Sequence, residues 1–195
     1  MPRFMRLTYS LLATVIVLSQ LNYAADHAVE YKVVATNKTS TSQKEMNEAA
    51  AAGFRFGAVM GGQTSFGGSE VVTVMYRSPG DEKDRFVYKL LATSKTSTMQ
   101  KELQAAGDEG FEYKGQTVFQ SAFGGKEVVV ILELDRAQKD RPQYEYRLLA
   151  TKKTGTMQKE LAEAGAAGFE FVGVTVGDTA VGGTELVSIL RRVRK

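Results

Sequence analysis

Hydrophobic and polar positions along the chain follow one rhythm, and it is played three times. In its middle occurrence the rhythm opens at Tyr88–Thr93, where Tyr88, Leu90 and Ala92 fall on one side of an extended chain and Leu91 falls opposite with Lys89 and Thr93. Alternation of this kind predicts a strand. A polar stretch of Lys and Thr follows, and then Met99, Leu103 and Ala106 recur at i, i+4 and i+7, the spacing of one helical face. Ser97 with Gln100 three residues on has capping-box spacing, repeated by Ser40 with Gln43; Gly155 with Gln158 stands at the same place, and Thr98 is a competing cap. Gly110, like Gly53 and Gly168, sits where the helical pattern stops, because glycine accepts the left-handed conformation there. Phe111 and Tyr113 then alternate with Glu112 and Lys114, which predicts a strand with one wet face. After a glycine-bearing loop, Glu127–Leu134 is apolar at nearly every position, as suits a strand central in its sheet.

The same text runs from Tyr31, from Tyr88 and from Tyr146, a shift of 57 and then 58 residues with no gap inside the unit. The second and third copies agree at most positions, so the chain is a small unit duplicated in tandem. The predicted organisation is a leader over 25–29 and β-α-β-β units over 30–77, 87–134 and 144–195, joined by polar linkers over 78–86 and 135–143 that carry turn chemistry at Pro79-Gly80 and Pro142. The fold class is α+β: each unit is a three-stranded, mainly antiparallel sheet in the order first, last, middle, with one helix on one face. A right-handed crossover helix makes the flanking strands parallel to each other. Such a unit is marginal alone, so the three are expected to pack together, either through their open sheet faces or by joining edges.

The N-terminus changes the picture of charge and location. Arg3 and Arg6 precede a mostly apolar run, Leu7–Leu18, followed by polar residues and Ala24-Ala25. This is the layout of a secretory signal peptide over 1–24, cleaved after Ala24; the run is shorter than the roughly 20 residues of a membrane-spanning helix. Removal of Arg3 and Arg6 takes Lys plus Arg from 25 to 23 against 22 Asp plus Glu, so the net charge falls from +3 to +1. A general affinity for nucleic acid or anionic membrane is then not expected. The basic end, Arg191, Arg192, Arg194 and Lys195, reads as solubilising. The chain has no cysteine, which excludes disulfides, thiol nucleophiles and thiolate metal sites.

Six residues in the second and third copies form a more specific pattern: Leu103, Gly107, Gly110, Phe111, Glu112 and Tyr113, then Leu161, Gly165, Gly168, Phe169, Glu170 and Phe171. Placed between a Tyr-led strand and a hydrophobic strand, this pattern resembles the DUF4177 family, over some dozen residues per unit. The first copy departs from it, with Met46, Ala50 and Arg55 at the leucine, first-glycine and glutamate places, and phenylalanine stands where that family usually has tryptophan. The resemblance implies a β-α-β-β unit and no particular chemistry.

Candidate chemistry is sparse. The only histidine, His27, lies in the leader, so no unit offers a Ser-His-Asp arrangement or a histidine zinc site. Carboxylates repeat on the helix (Glu45, Glu102, Glu160) and at the start of the last strand (Glu70, Glu127, Glu185), each a singleton within its unit. Asn37-Lys38-Thr39 matches a glycosylation sequon in one copy only. The most repeated polar text precedes the helix: Lys38 and Thr39, Lys95 and Thr96, Lys153 and Thr154. A lysine and hydroxyls at a helix N-terminus are suited to an anion, and these six are the candidate ligand contacts. The expectation is an exported, non-enzymatic binding or structural module with no cofactor. Its partner is an unknown protein or a small anionic ligand. The alternatives are an anion binder at these loops and, behind it, a carboxylate-dependent hydrolase.

Overall fold

The computed structural model describes residues 28–64, 68–120, 126–178 and 184–194. The expected signal peptide with its cleavage point, His27, and the glycines at 67, 124–125 and 182–183 lie outside the described residues. The elements alternate as the pattern predicts: β1 (Glu30–Thr36), α1 (Thr39–Ala51), β2 (Arg55–Thr64), β3 (Gly68–Arg77), β4 (Phe86–Thr93), α2 (Thr96–Asp108), β5 (Glu112–Gln120), β6 (Lys126–Asp135), β7 (Tyr144–Thr151), α3 (Thr154–Ala166), β8 (Glu170–Asp178) and β9 (Thr184–Val193). They form three antiparallel three-stranded sheets, ordered β1-β3-β2, β4-β6-β5 and β7-β9-β8. The last strand of each unit is central, and in β6 Val128 to Leu132 are all buried, because a central strand between two covered faces leaves no side for polar residues.

The helices end as expected and start differently. Gly110 has φ +89; its N–H bonds to the Gly107 carbonyl, and Phe111 N–H bonds to the Ala106 carbonyl, a Schellman pair that Gly53 and Gly168 repeat. The N-caps, however, are Lys38, Lys95 and Lys153 in extended conformation without a side-chain cap, so Ser40, Ser97 and Gly155 fall inside the first turn. Two of the glutamines of the expected capping boxes, Gln43 and Gln100, are engaged elsewhere, while Gln158 is exposed. Gln100 accepts from Leu148 N–H (2.8 Å) and donates to the Tyr146 carbonyl (2.9 Å), and Gln104 one turn on accepts from Tyr146 N–H and donates to the Tyr144 carbonyl. In the first unit Gln43 accepts from Leu90 N–H, while Asn47 accepts from Tyr88 N–H and donates to its carbonyl. Each pair of side-chain amides stands in for a neighbouring strand along the free edge of the next unit's first strand. An edge strand whose donors and acceptors are buried without partners loses more than a helix start that water can reach.

The units therefore join head to tail, rather than by open face against open face. Sheet two shows the arrangement. One of its faces, with Leu91, Val128, Val130 and Leu132, packs under its own α2. Its other face, with Tyr88, Leu90, Val129 and Ile131, packs against Met46, Ala49 and Ala50 of the preceding α1. Sheet three repeats the step, with Tyr144, Tyr146 and Ile189 against α2. Tyr88 sends its hydroxyl through the joint to accept the Phe56 N–H at 2.7 Å, and Tyr146 does the same for Tyr113 N–H at 2.7 Å. The donating N–H groups adjoin β-bulges, where β2 and β5 shift register against their central strands between Phe56 and Ala58 and between Tyr113 and Gly115. A bulge disrupts the ladder locally, and the tyrosine of the next unit supplies an acceptor beside it.

Close approach at these joints demands small residues. A Cβ on Gly107 would run into the Tyr144 carbonyl oxygen and come within 2.9 Å of the Tyr146 ring, whereas a Cβ on Gly165, the matching place in α3, meets nothing within 4 Å. Gly107→Ala is therefore expected to destabilise the fold by about 1–3 kcal/mol through overpacking. Gly165→Ala is expected to stabilise the dilute protein by about 0.5 kcal/mol through backbone entropy. Urea midpoints of the two variants, compared with the parent, check both signs.

Candidate functional site

The densest polar chemistry among the described residues lies on the seam between the units, built on the bulge of β5. Cross-strand pairing sets Glu112 opposite Glu133 and Tyr88 opposite the same Glu133. Two carboxylates facing each other across a ladder repel, and Lys114, the bulged residue, resolves the conflict by reaching both: its Nζ lies 3.2 Å from Glu112 Oε2 and 3.1 Å from Glu133 Oε1. Glu133 is buried and also accepts the Tyr88 hydroxyl proton at 2.7 Å. Tyr88 is thus donor to Glu133 within its own unit and acceptor from Phe56 N–H, and the second of these bonds ties unit one to unit two. On the far side Arg191 of β9 bonds Glu112 at 2.6 Å and lies 3.7 Å from Glu170, which carries the chain of charges into unit three. Beside this network opens a cavity of about 250 Å³, lined among others by Arg55, Tyr76, Glu112, Lys114 and Glu133.

The electrostatics follow from partial burial and close pairing. Burial by itself pushes the Glu112 carboxyl up, but Lys114 and Arg191 more than offset it, and its pKa lies below the ordinary glutamate value. Burial draws Lys114 down, and Glu133 and Glu112 outweigh it, so Lys114 holds its proton more firmly than a free lysine. Arg191 behaves likewise, with Glu112 outweighing the cost of burial. Burial, reinforced by Glu133, raises the Tyr88 phenol; burial also raises Tyr146, and it pushes Tyr113 up to about 12. The tyrosines are therefore neutral hydrogen-bonding groups at physiological pH. The arrangement can hold opposite charges in register across two joints and can offer a polar wall to a small molecule. No group of three or more metal-ligating side chains occurs among the described residues.

The residues singled out in the sequence lie elsewhere. Lys38, Lys95 and Lys153 are exposed, each at the start of its own helix. The preceding threonines Thr36, Thr93 and Thr151 accept the N–H of those lysines at 3.1–3.2 Å, an ordinary turn role. Thr39 is half-buried and Thr154 exposed. Thr96 donates to Glu185 at 2.9 Å, so a carboxylate of unit three already sits at the N-terminus of α2, where the helix dipole favours negative charge. Glu45, Glu102 and Glu160 are half-buried on their helices, and Glu185 is brought onto Thr96 of the preceding unit.

The seam is built where the copies differ, so the repeated residues do not mark it. The places that hold Glu133 and Glu112 hold Tyr76 and Arg55 in unit one and Arg191 and Glu170 in unit three. In unit one the pair becomes a cation–π contact, with Arg55 4.5 Å from the Tyr76 ring centre. A glutamate inside the otherwise apolar run of β6 is the signal in the sequence that could have located it. Compared with known proteins, the chain matches no family model, no curated protein and no solved structure.

Two consequences can be measured. Lys114→Met leaves Glu112 and Glu133 opposed and Glu133 buried without its cation. The expected loss is about 2 kcal/mol, less than for a fully enclosed pair because Lys114 is partly exposed. The lowered Glu112 pKa means that the unfolded chain binds its proton first as pH falls. The stability this group contributes is complete above the unfolded glutamate value of about 4.3 and is lost as pH falls through the folded value. Urea midpoints from pH 7 down to pH 3 should show this acid loss, and Glu112→Gln should flatten it.

Proposed function

We propose that the protein is an exported, non-enzymatic structural or binding module whose three units act as one rigid body that presents surfaces to a macromolecular partner. One observation carries the reading: the polar side chains that recur in every joint, the strand tyrosines and helix amides, spend their hydrogen bonds on neighbouring units. Tyr88 and Tyr146, Gln43 with Asn47, and Gln100 with Gln104 all bond across a joint. The charged seam is likewise satisfied from within, Glu133 by Tyr88 and Lys114, and Glu112 by Lys114 and Arg191. Repetition here supports assembly of a surface rather than a reaction centre. Export rests on the charged, apolar and small-residue layout of residues 1–24. The kinship of the units with DUF4177 is part of the same proposal.

A second reading, a small-anion binder at the Lys/Thr loops, draws support from the exposed lysines at three helix starts that have no acidic residue in the first turn. A thermal-shift screen of the purified chain against small anions separates the two. The structural reading expects no rise in Tm with any anion, together with protein adducts after crosslinking in the producing cell. A rise in Tm that is abolished by replacing Lys95 and Lys153 with alanine would overturn it in favour of the anion binder. Mass spectrometry of the exported protein is expected to find a chain that begins at Ala25; intact Met1 in the membrane fraction overturns the export arm.

A further inference from the structure

The joint that links unit to unit is used twice inside the chain, and its two unmatched halves stand at opposite ends of the molecule. The first half is the helix-free face of sheet one. Tyr31 is 71% exposed and Val33 61%, while Tyr88 and Tyr146, at the place of Tyr31 in the later units, are 1% and 2% exposed. Behind them on β3, Val72 and Val74 are half-exposed, whereas their counterparts Val129, Ile131, Val187 and Ile189 are fully covered. The second half is α3 with β8, where Phe171 is 54% and Val174 46% exposed and where Gly165 faces open space.

We propose that a second copy of this chain docks head to tail, the outer face of sheet one on one copy seating against α3 and β8 of the other, so that the internal joint is made a third time between molecules. Three correspondences carry it. Phe56 and Val59 close on Gly115 across the first joint; Phe171 and Val174 are their counterparts in unit three, and the exposed Ala58 is the counterpart of Gly115 in unit one. The Tyr88 and Tyr146 hydroxyls accept from Phe56 and Tyr113 N–H; Tyr31 of the second copy stands ready to accept from Phe171 N–H beside the third bulge, between Phe171 and Gly173. Gln158 holds the place of Gln43 and Gln100, whose amides cap the edge of the following strand, and β1 offers an uncovered edge with apolar side chains, the feature that leads to strand-edge association.

The third joint differs from the other two in one respect. Ala162 stands where Asn47 and Gln104 supply the second amide, so the contact between copies lacks two of the edge hydrogen bonds and is a weaker, reversible version of the internal one. Because the two halves are different surfaces, the contact is heterologous, and successive copies either close a ring or extend a filament. The proposal deepens the structural-module reading and rests on it, and its test is separate: crosslinked adducts with other proteins would uphold that reading even where self-association failed.

The test is analytical ultracentrifugation of the purified full-length chain over a wide concentration range. The wild type is expected to grow beyond the 21.3 kDa of one chain as concentration rises. Tyr31→Asp blocks one half and Val174→Asp the other, so each variant alone is expected to stay monomeric. An equimolar mixture, in which each variant supplies the half that the other lacks, is expected to form complexes of two chains and none larger. Both positions are exposed in the single chain, and far-UV circular dichroism checks that each variant folds; Val33→Lys and Phe171→Lys replace them if one does not. A wild type that stays monomeric throughout overturns the proposal. Single variants that still associate, as association through the apolar residues 7–18 would produce, also overturn it, as does a mixture of folded variants that remains monomeric.

Discussion

A three-stranded sheet has two faces, and each unit of this protein carries one helix. That mismatch governs the structure. A unit of about 50 residues that covered only one face would leave half of its central strand in water, and at that size the apolar area buried does not offset chain entropy. Here the uncovered face of each later sheet is closed by the helix and the bulged strand of the unit before it. Val129 and Ile131 are buried by α1 from outside their own unit, and Ile189 by α2. The cores run continuously across the joints, and a joint is as much a part of the core as the inside of a unit.

Closing a face in this way creates a polar problem along the edge strands, and the chain solves it with a few side chains of the right length. β4 and β7 each lie at the edge of a sheet and under a helix, so water has little access to their outer backbone groups. Glutamine and asparagine carry both a donor and an acceptor on one planar group, which lets two of them, one helical turn apart, follow the alternation of N–H and C=O along a strand. Tyrosine does the complementary work, reaching across the joint to accept an N–H beside a bulge. A geometry set by sterics, the close approach at Gly107, thus depends on hydrogen bonds for its register.

Within this shared framework the copies have diverged in charge. Equivalent places on the central strand hold Tyr76, Glu133 and Arg191, and those on the bulged strand hold Arg55, Glu112 and Glu170. Neighbouring units therefore meet with opposite signs, and Glu112 of the middle unit pairs with Arg191 of the last at 2.6 Å. Three copies of the middle unit would have set a glutamate against a glutamate at every joint, Glu112 of one against Glu133 of the next. Divergence at these positions makes the order of the units specific, because unlike joints favour one sequence of neighbours.

Much of the architecture was legible along the chain. Periodicity placed the nine strands and three helices of the described residues, the unbroken apolar run named the central strand, and Gly53, Gly110 and Gly168 marked where helices stop, because strand alternation, helical spacing and left-handed glycine are local properties of backbone and side chain. Helix starts were not legible in the same way: Gln43 and Gln100 have capping-box spacing, yet each bonds a strand in the following unit, and a local motif gives no sign of a competing partner more than forty residues away. The candidate site was hidden for a related reason, since Glu112, Lys114, Glu133 and Arg191 are ordinary surface types in the sequence and become a network only when a bulge and a joint bring them together. By itself the sequence determined the unit, its repetition and its strand order. Only the tertiary structure decided which face of each sheet meets which helix, because that choice depends on shape and charge at the joints, where the copies differ, and not on the periodicity they share.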